Sequence, residues 1–109
     1  MKKFLDAFNG LLIAFRHRAV LIQIVLGAFA IIGGFIITLD YNEWIAFIVC
    51  ICMVLSAEVF NTSIEKIGNY LNMNDDYKIK EIKDLSSAAV LIGAIGSLII
   101  CIMALLRRV

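Results

Sequence analysis

The sequence predicts an all-α integral membrane protein, with an amphipathic helix at the membrane interface followed by three transmembrane helices. Of its 109 residues, 62% are hydrophobic, only 17% are charged, and none is proline. A soluble domain of this length would need far more polar surface to cover itself. Three long uncharged stretches place the chain in a bilayer instead. The formal net charge of +1 gives no support for a nucleic-acid partner, which would require a basic surface.

Residues 2–18 are predicted to form the interfacial helix. Their apolar side chains recur at helical spacing and define one face, whereas the charged side chains fall largely elsewhere. A basic cluster, Arg16, His17 and Arg18, closes the segment. The apolar face consists of Phe4, Leu5, Phe8, Leu11, Leu12 and Phe15.

Two of the uncharged stretches are long enough to cross the bilayer unaided. Residues 19–39 form a stretch of 21 residues without a charge, which as a helix would be about 31 Å long. Residues 85–106 form another, of 22 residues. A hydrocarbon core is about 30 Å thick. We therefore assign them as the first and third spans.

The second span, predicted over residues 44–68, is informative because its apolar part is too short. Residues 44–57 supply only 14 uncharged positions, or about 21 Å of helix. The span must therefore continue through Glu58 and Asn61. Polar groups at that depth are expensive and usually functional.

The polar segment at residues 69–84 is predicted to be a cytoplasmic loop. Its lysines and the basic residues before the first span place both segments on the cytoplasmic side, since residues 40–43 contain no lysine or arginine. The N-terminus is then cytoplasmic and the C-terminus is outside. Arg107 and Arg108 oppose this topology, but they are two charges on a very short tail.

A stripe of polar side chains is the candidate site. Glu58, Asn61, Glu65 and Asn69 are spaced by three, four and four residues, so one helix face carries all of them. Carboxylates and an amide in a row could bind a metal and orient a hydroxyl group. Lys83 and Asp84 open the third span, where the lysine could neutralise a phosphate and the aspartate could hold a second metal or a lysine. Alternatively, Glu58 and Glu65 pair with lysines of a neighbouring helix and only fix the packing.

Several common sites are missing from the sequence. The three cysteines lie within apolar runs, with no CxxC pair, and behave as small hydrophobic residues. No GxxxxGK(S/T) nucleotide loop occurs. Three helices of this size cannot enclose a pocket, so an active site would be shared between copies, which predicts a homo-oligomer.

Two segments carry a resemblance to a known family. AEVFNTSIE at residues 57–65 and IKDLSSAAVL at residues 82–91 resemble the two sequence blocks of the prokaryotic diacylglycerol kinase family. This family comprises small three-span membrane lipid kinases, including undecaprenol kinases. The gap between the blocks fits without an insertion, Glu43 and Trp44 fit the start of the second span, and residues 7–10 resemble the interfacial helix. The resemblance covers nearly the whole chain.

The resemblance implies a homotrimer in the bacterial cytoplasmic (inner) membrane, with active sites between protomers. The implied reaction transfers the γ-phosphate of ATP, with Mg²⁺, to a lipid alcohol such as undecaprenol or diacylglycerol at the cytoplasmic face. By position, Glu58 would be the general base and Asn61 would orient the hydroxyl group. Glu65 would bind Mg²⁺, and Lys83 and Asp84 would contact the nucleotide phosphates and their metal.

The sequence departs from the family pattern in three places. Where the family has a second metal-binding glutamate before the first span, this chain has His17 or Arg18, depending on the alignment. Asn69 replaces an aspartate, and residues 74–76 replace a segment that contacts nucleotide in relatives. His17 could act as a nitrogen ligand, although Mg²⁺ prefers oxygen. Asp75 or Asp76 could supply the missing charge.

Two other functions remain open at this point. The chain could be a catalytically silent paralogue of the same fold that binds lipid or a protein partner, as the departures at His17 and Asn69 would allow. It could also be a small proton-coupled transporter that uses Glu58 or Glu65 as a relay.

Overall fold

The structure is a computed structural model that describes residues 2–71 and 77–109. The described residues form four α-helices: α1 (Lys2–Ala14), α2 (Arg18–Ile36), α3 (Tyr41–Tyr70) and α4 (Tyr77–Leu106). The molecule is elongated, with extents of 51 × 37 × 20 Å. The predicted all-helical fold is therefore confirmed for this part of the chain.

Within the described residues, α2, α3 and α4 are each long and apolar enough to cross a membrane. The prediction of three helices able to cross a membrane is therefore confirmed, while the predicted bounds of the spans stay predictions. Most side chains of these helices are exposed in the single chain. Contact with lipid would cost these side chains little, because lipid tails are as apolar as the side chains. The α1 helix also exposes most of its side chains, and its place in the membrane interface stays a prediction.

The central helix is α3, which packs against both α2 and α4. One tight contact with α2 lies where the chain turns from α2 into α3. A Cβ atom added to Gly34 would lie 2.7 Å from Leu39 Cδ1 and 2.9 Å from Trp44 Cη2. The Trp44 ring also contacts the ring of Phe35, with 4.8 Å between their centroids. The missing side chain at residue 34 therefore lets α2 approach the start of α3.

The helices extend further than their apolar segments. Asp40 is the N-cap of α3 and forms a capping box with Glu43: the Glu43 amide donates to Asp40 Oδ1 over 2.9 Å, and the Asp40 amide donates to Glu43 Oε1 over 3.0 Å. The helix thus begins at Tyr41, before the predicted residue 44. At the other end, α4 begins at Tyr77, so residues 77–84 of the predicted loop are helical. Residues 72–76 lie outside the described part.

Two arginines after α4 hold the loop between α2 and α3. Arg108 forms a bidentate pair with the Glu43 carboxylate, at 2.6 and 2.8 Å, and donates to the carbonyl oxygens of Ile37 and Thr38. Arg107 Nη1 donates to Asp40 Oδ2 over 2.6 Å. The hydrogen bond with Glu43 raises the pKa of Arg108 above its usual value. We call these contacts the arginine clamp, and their end of the bundle the clamp end.

We expect replacement of Arg108 by methionine to lower the apparent thermal midpoint of the purified protein more than replacement of Arg107 does. Arg108 satisfies both a half-buried carboxylate and two loop carbonyl oxygens, whereas the Arg107 pair is more exposed. Arg108→Lys should restore little, because an ammonium group cannot form the bidentate pair. Thermal unfolding at one detergent and protein concentration measures this. Equal midpoints for Arg108→Met and the unmutated protein would contradict it.

Candidate functional site

The polar stripe of α3 runs from the interior of the protein to its surface. Glu58 and Asn61 are buried, with 6% and 8% of their surface exposed, whereas Glu65 and Asn69 are exposed. All four side chains share one helix face, as the spacing predicts. The stripe ends near the polar termini of α3 and α4, which we call the site end of the bundle.

Glu58 is a buried acid without a counter-charge in the described part of the chain. The neighbouring hydroxyl groups do not reach it: Thr62 Oγ1 donates to the Glu58 carbonyl oxygen over 2.9 Å, and Ser63 Oγ donates to the Val59 carbonyl oxygen. The ion pairs among residues 2–71 and 77–109 are elsewhere, at the clamp end and on α4. Ion pairs among these described residues therefore do not support the alternative in which Glu58 and Glu65 pair with lysines of a neighbouring helix.

The side-chain amide of Asn61 forms a hydrogen bond through its nitrogen atom but, among the described residues, not through its oxygen atom. Its Nδ2 donates to Glu65 Oε1 over 3.3 Å, which links two members of the stripe. Its Oδ1 is buried and has no hydrogen-bond partner in the described structure. An unpaired buried acceptor costs about 1–3 kcal/mol, so such atoms are rare and each needs an explanation. This oxygen is available to a hydroxyl group or a cation.

Lys83 connects α4 to the exposed end of the stripe. Its side chain is half-buried and crosses to α3, where Nζ donates to Asn69 Oδ1 over 2.8 Å. The contact places the ammonium group of Lys83 on α4 beside the side-chain amide of Asn69 on α3. The structure therefore joins Lys83 and Asn69, and their roles in binding stay predictions.

Asp84 does not join this group within the single chain. Its Oδ2 accepts a hydrogen bond from Lys80 Nζ over 2.7 Å, and both side chains are largely exposed. Consecutive helix residues are rotated by about 100°. While Lys83 turns to α3, Asp84 therefore lies beside an open groove that Tyr77, Glu81 and Ala88 also line.

His17 lies at the junction of α1 and α2, where it is the N-cap residue of α2 but makes no side-chain cap hydrogen bond. It lines a groove of about 580 Å³ between α1 and α3. Thr62, Ser63 and Lys66 line the same groove. His17 thus lines the same groove as Lys66, and the described residues that line it include no carboxylate.

A preformed metal cage is not part of the described structure. Among residues 2–71 and 77–109, no three side chains of histidine, cysteine, aspartate or glutamate converge on one point. The predicted substitutes, Asp75 and Asp76, lie outside the described residues, as does Asn74. Glu65 is the exposed carboxylate of the stripe, and its role as a metal ligand stays a prediction.

Sequence reasoning missed two features of this architecture. The first is Gly68, which lies under Lys83, and its signal was an isolated glycine in a helical segment. The second is the arginine clamp, whose signal was the aspartate and glutamate three residues apart that form a capping box at residues 40–43. Both depend on contacts with α4 or with the residues that follow it, which local patterns do not show.

Comparison with known proteins adds one match. Residues 6–105 match the sequence model of a family described as "Prokaryotic diacylglycerol kinase". The match covers nearly the whole chain and includes every residue of the stripe, together with His17, Lys83 and Asp84. No curated protein and no solved structure matches the chain.

Proposed function

The chain belongs to the prokaryotic diacylglycerol kinase family, and on this premise we propose that it transfers the γ-phosphate of ATP to a lipid alcohol, undecaprenol or diacylglycerol. The single observation that best supports the proposal is Glu58, a buried carboxylate without a counter-charge in the described structure, on a helix able to span the membrane. A carboxylate that is not held in an ion pair can accept the proton of a lipid hydroxyl group.

The acceptor part of the site consists of Glu58 and Asn61. A lipid alcohol presents its hydroxyl group at the edge of the apolar core, where these two side chains lie one helical turn apart. Glu58 accepts the hydrogen bond of the lipid hydroxyl group and takes its single proton as the new oxygen–phosphorus bond forms, while the bond between the γ-phosphorus and the bridging oxygen of ATP breaks and ADP leaves. Asn61, one helical turn away, orients the hydroxyl group beside Glu58. Positioning and a base within reach are most of what phosphoryl transfer requires of a protein.

The residues at the site end fit a nucleotide with a magnesium ion. Mg²⁺ is usually bound through one or two carboxylates together with substrate phosphates, so the lone exposed carboxylate of Glu65 suffices on the protein side. When bound, the metal would neutralise phosphate charge in the transition state. Lys83 adds a positive charge for the phosphates next to Asn69. In this proposal, Asp84 contacts the nucleotide or its metal, and His17 offers a nitrogen ligand that would favour a softer metal.

The active form in this proposal is a homotrimer with sites between protomers. Two observations support it: Asp84 faces away from α3 in the single chain, and the apolar faces of the three spans stay largely exposed. A second copy could bring its stripe to the Asp84 face. The site would then have the carboxylates that one chain does not bring together.

The proposed orientation has the N-terminus and the site end in the cytoplasm, where ATP is available. The lysines of residues 77–83 and the basic residues of 2–18 lie towards the cytoplasmic ends of the spans, as the positive-inside pattern requires. Arg107 and Arg108 are the exceptions. Both are paired with Asp40 or Glu43 in the clamp, so their charge at the outer end is compensated.

A transfer assay tests the proposal directly. The purified protein in lipid nanodiscs, given labelled ATP, Mg²⁺ and either undecaprenol or diacylglycerol, is expected to produce a labelled lipid phosphate. Removal of divalent metal with EDTA should abolish the product, and added Mg²⁺ should restore it. A correctly assembled oligomer that labels neither lipid with Mg²⁺ or Mn²⁺ would contradict the proposal.

The second candidate is a silent paralogue that binds lipid or a partner. It is favoured by the departures from the family pattern at His17 and Asn69, where the family has acidic residues. ATP binding separates the two functions, since a ligand that binds the native state raises the thermal midpoint. A kinase should gain stability from ATP with Mg²⁺ or Mn²⁺, whereas a silent paralogue should gain none.

A further inference from the structure

Gly68 lies within α3, near the site end, where a glycine is unexpected. Glycine disfavours a helix because it loses the most conformational freedom on folding. Its backbone here has no positive φ angle that would require glycine. It is buried, unlike its neighbours Ile67 and Asn69. The remaining reason is the close approach of another group.

That group is the side chain of Lys83. A Cβ atom added to Gly68 would lie 2.6 Å from Lys83 Cε, 3.5 Å from Lys83 Nζ and 3.2 Å from Ile79 Cγ2. Of the seven glycines, only Gly34, at the clamp end, is similarly crowded, whereas an added Cβ at Gly10, Gly33 or Gly96 would meet nothing within 4 Å. The lysine stem thus lies directly across the bare backbone of residue 68, and its ammonium group reaches Asn69 Oδ1 one residue further on.

We infer that Gly68 is a positioning residue: its missing side chain lets Lys83 lie against α3 and holds the ammonium group at Asn69, where the proposed site binds phosphate. The inference rests on the proposed function for what Lys83 does there. The atom closest to an added methyl group is near the end of a flexible side chain. The helix can therefore accept alanine while the lysine side chain moves away. Replacing Gly68 should thus displace the ammonium group of Lys83 without lowering the stability of the protein.

The test uses Gly68→Ala in the full chain, with Gly33→Ala as the matched control in open space. Gly68→Ala is expected to keep or raise the thermal midpoint, because alanine favours the helix. The KM for ATP should rise about tenfold, the value of one charge-assisted hydrogen bond, with a much smaller change in kcat. Gly33→Ala should leave the KM unchanged. In a Lys83→Ala background, Gly68→Ala should cause no further change, because the two residues act through one contact.

A second readout does not depend on kinase activity. Acetylation of lysines by an N-hydroxysuccinimide ester, read by tandem mass spectrometry, should increase at Lys83 in Gly68→Ala relative to Lys80, which bonds to Asp84 on another face of α4. An unchanged labelling ratio would overturn the inference, as would an unchanged KM or an additive double variant. If the unmutated protein transfers no phosphate, this contradicts the proposed function but not the positioning of Lys83 by Gly68. The labelling ratio then decides: an increase supports the positioning of Lys83 by Gly68, and no increase overturns it.

Discussion

Replacing Glu58 with glutamine is expected to lower kcat for lipid phosphorylation by a factor of about 10²–10⁴, the usual contribution of a general base. Glutamine keeps the shape of the side chain but cannot take the proton of the lipid hydroxyl group. The KM for ATP should change little, because Glu58 lies about two helical turns from Glu65. Labelled phosphate transfer to each lipid, measured at saturating ATP, provides the comparison.

The fold should survive this change. Glu58 is buried without a counter-charge in the described chain, and removing a buried charge relieves its desolvation penalty. The thermal midpoint of Glu58→Gln should therefore equal or exceed that of the unmutated protein. Asp6→Asn, which removes one exposed carboxylate from α1, is the matched control and should keep full activity. Unmutated rates in Glu58→Gln would refute its role as the base.

Replacing Lys83 with methionine is expected to lower kcat/KM for ATP by about 10²-fold, in line with the loss of one charged group from a phosphate site. Methionine keeps an apolar stem that can lie over Gly68, so the variant removes the charge and spares the packing. The KM for the lipid should change less than the KM for ATP. Initial rates over a range of ATP concentrations, at a fixed lipid fraction, measure the effect.

The control for this variant is Lys3→Met, which removes one positive charge from exposed α1 and leaves the net charge of the protein the same as in Lys83→Met. It should retain activity. If both variants lose the same activity, the effect comes from general attraction of ATP to a positive surface. If neither loses activity, Lys83 does not serve the phosphates.

Much of the candidate site could be predicted from the chain because α3 is one continuous helix. The short apolar run at residues 44–57 required Glu58 and Asn61 to enter the membrane span, and the structure buries both. Helical periodicity then placed Glu65 and Asn69 on the same face. Neither step needed knowledge of another helix. The burial is found in the structure, while the catalytic roles stay predictions.

Contacts between helices were beyond the reach of local patterns. Lys83 and Asp84 are neighbours in the sequence and were predicted to act together, but the structure turns Lys83 to Asn69 and Asp84 to Lys80. Arg107 and Arg108 were weighed only as charges against the topology, yet they bind Asp40 and Glu43 more than 60 positions away. The relative rotation of α3 and α4 decides both outcomes.

The sequence by itself determined the helical class, the three spans and the order of polar groups along α3. The first two follow from apolar length against bilayer thickness, and the third follows from the fixed repeat of an α-helix. Only the tertiary structure decided what faces that stripe from α4 and why residue 68 is glycine. Those depend on how closely two helices approach, which is set by side-chain packing between segments far apart in the chain.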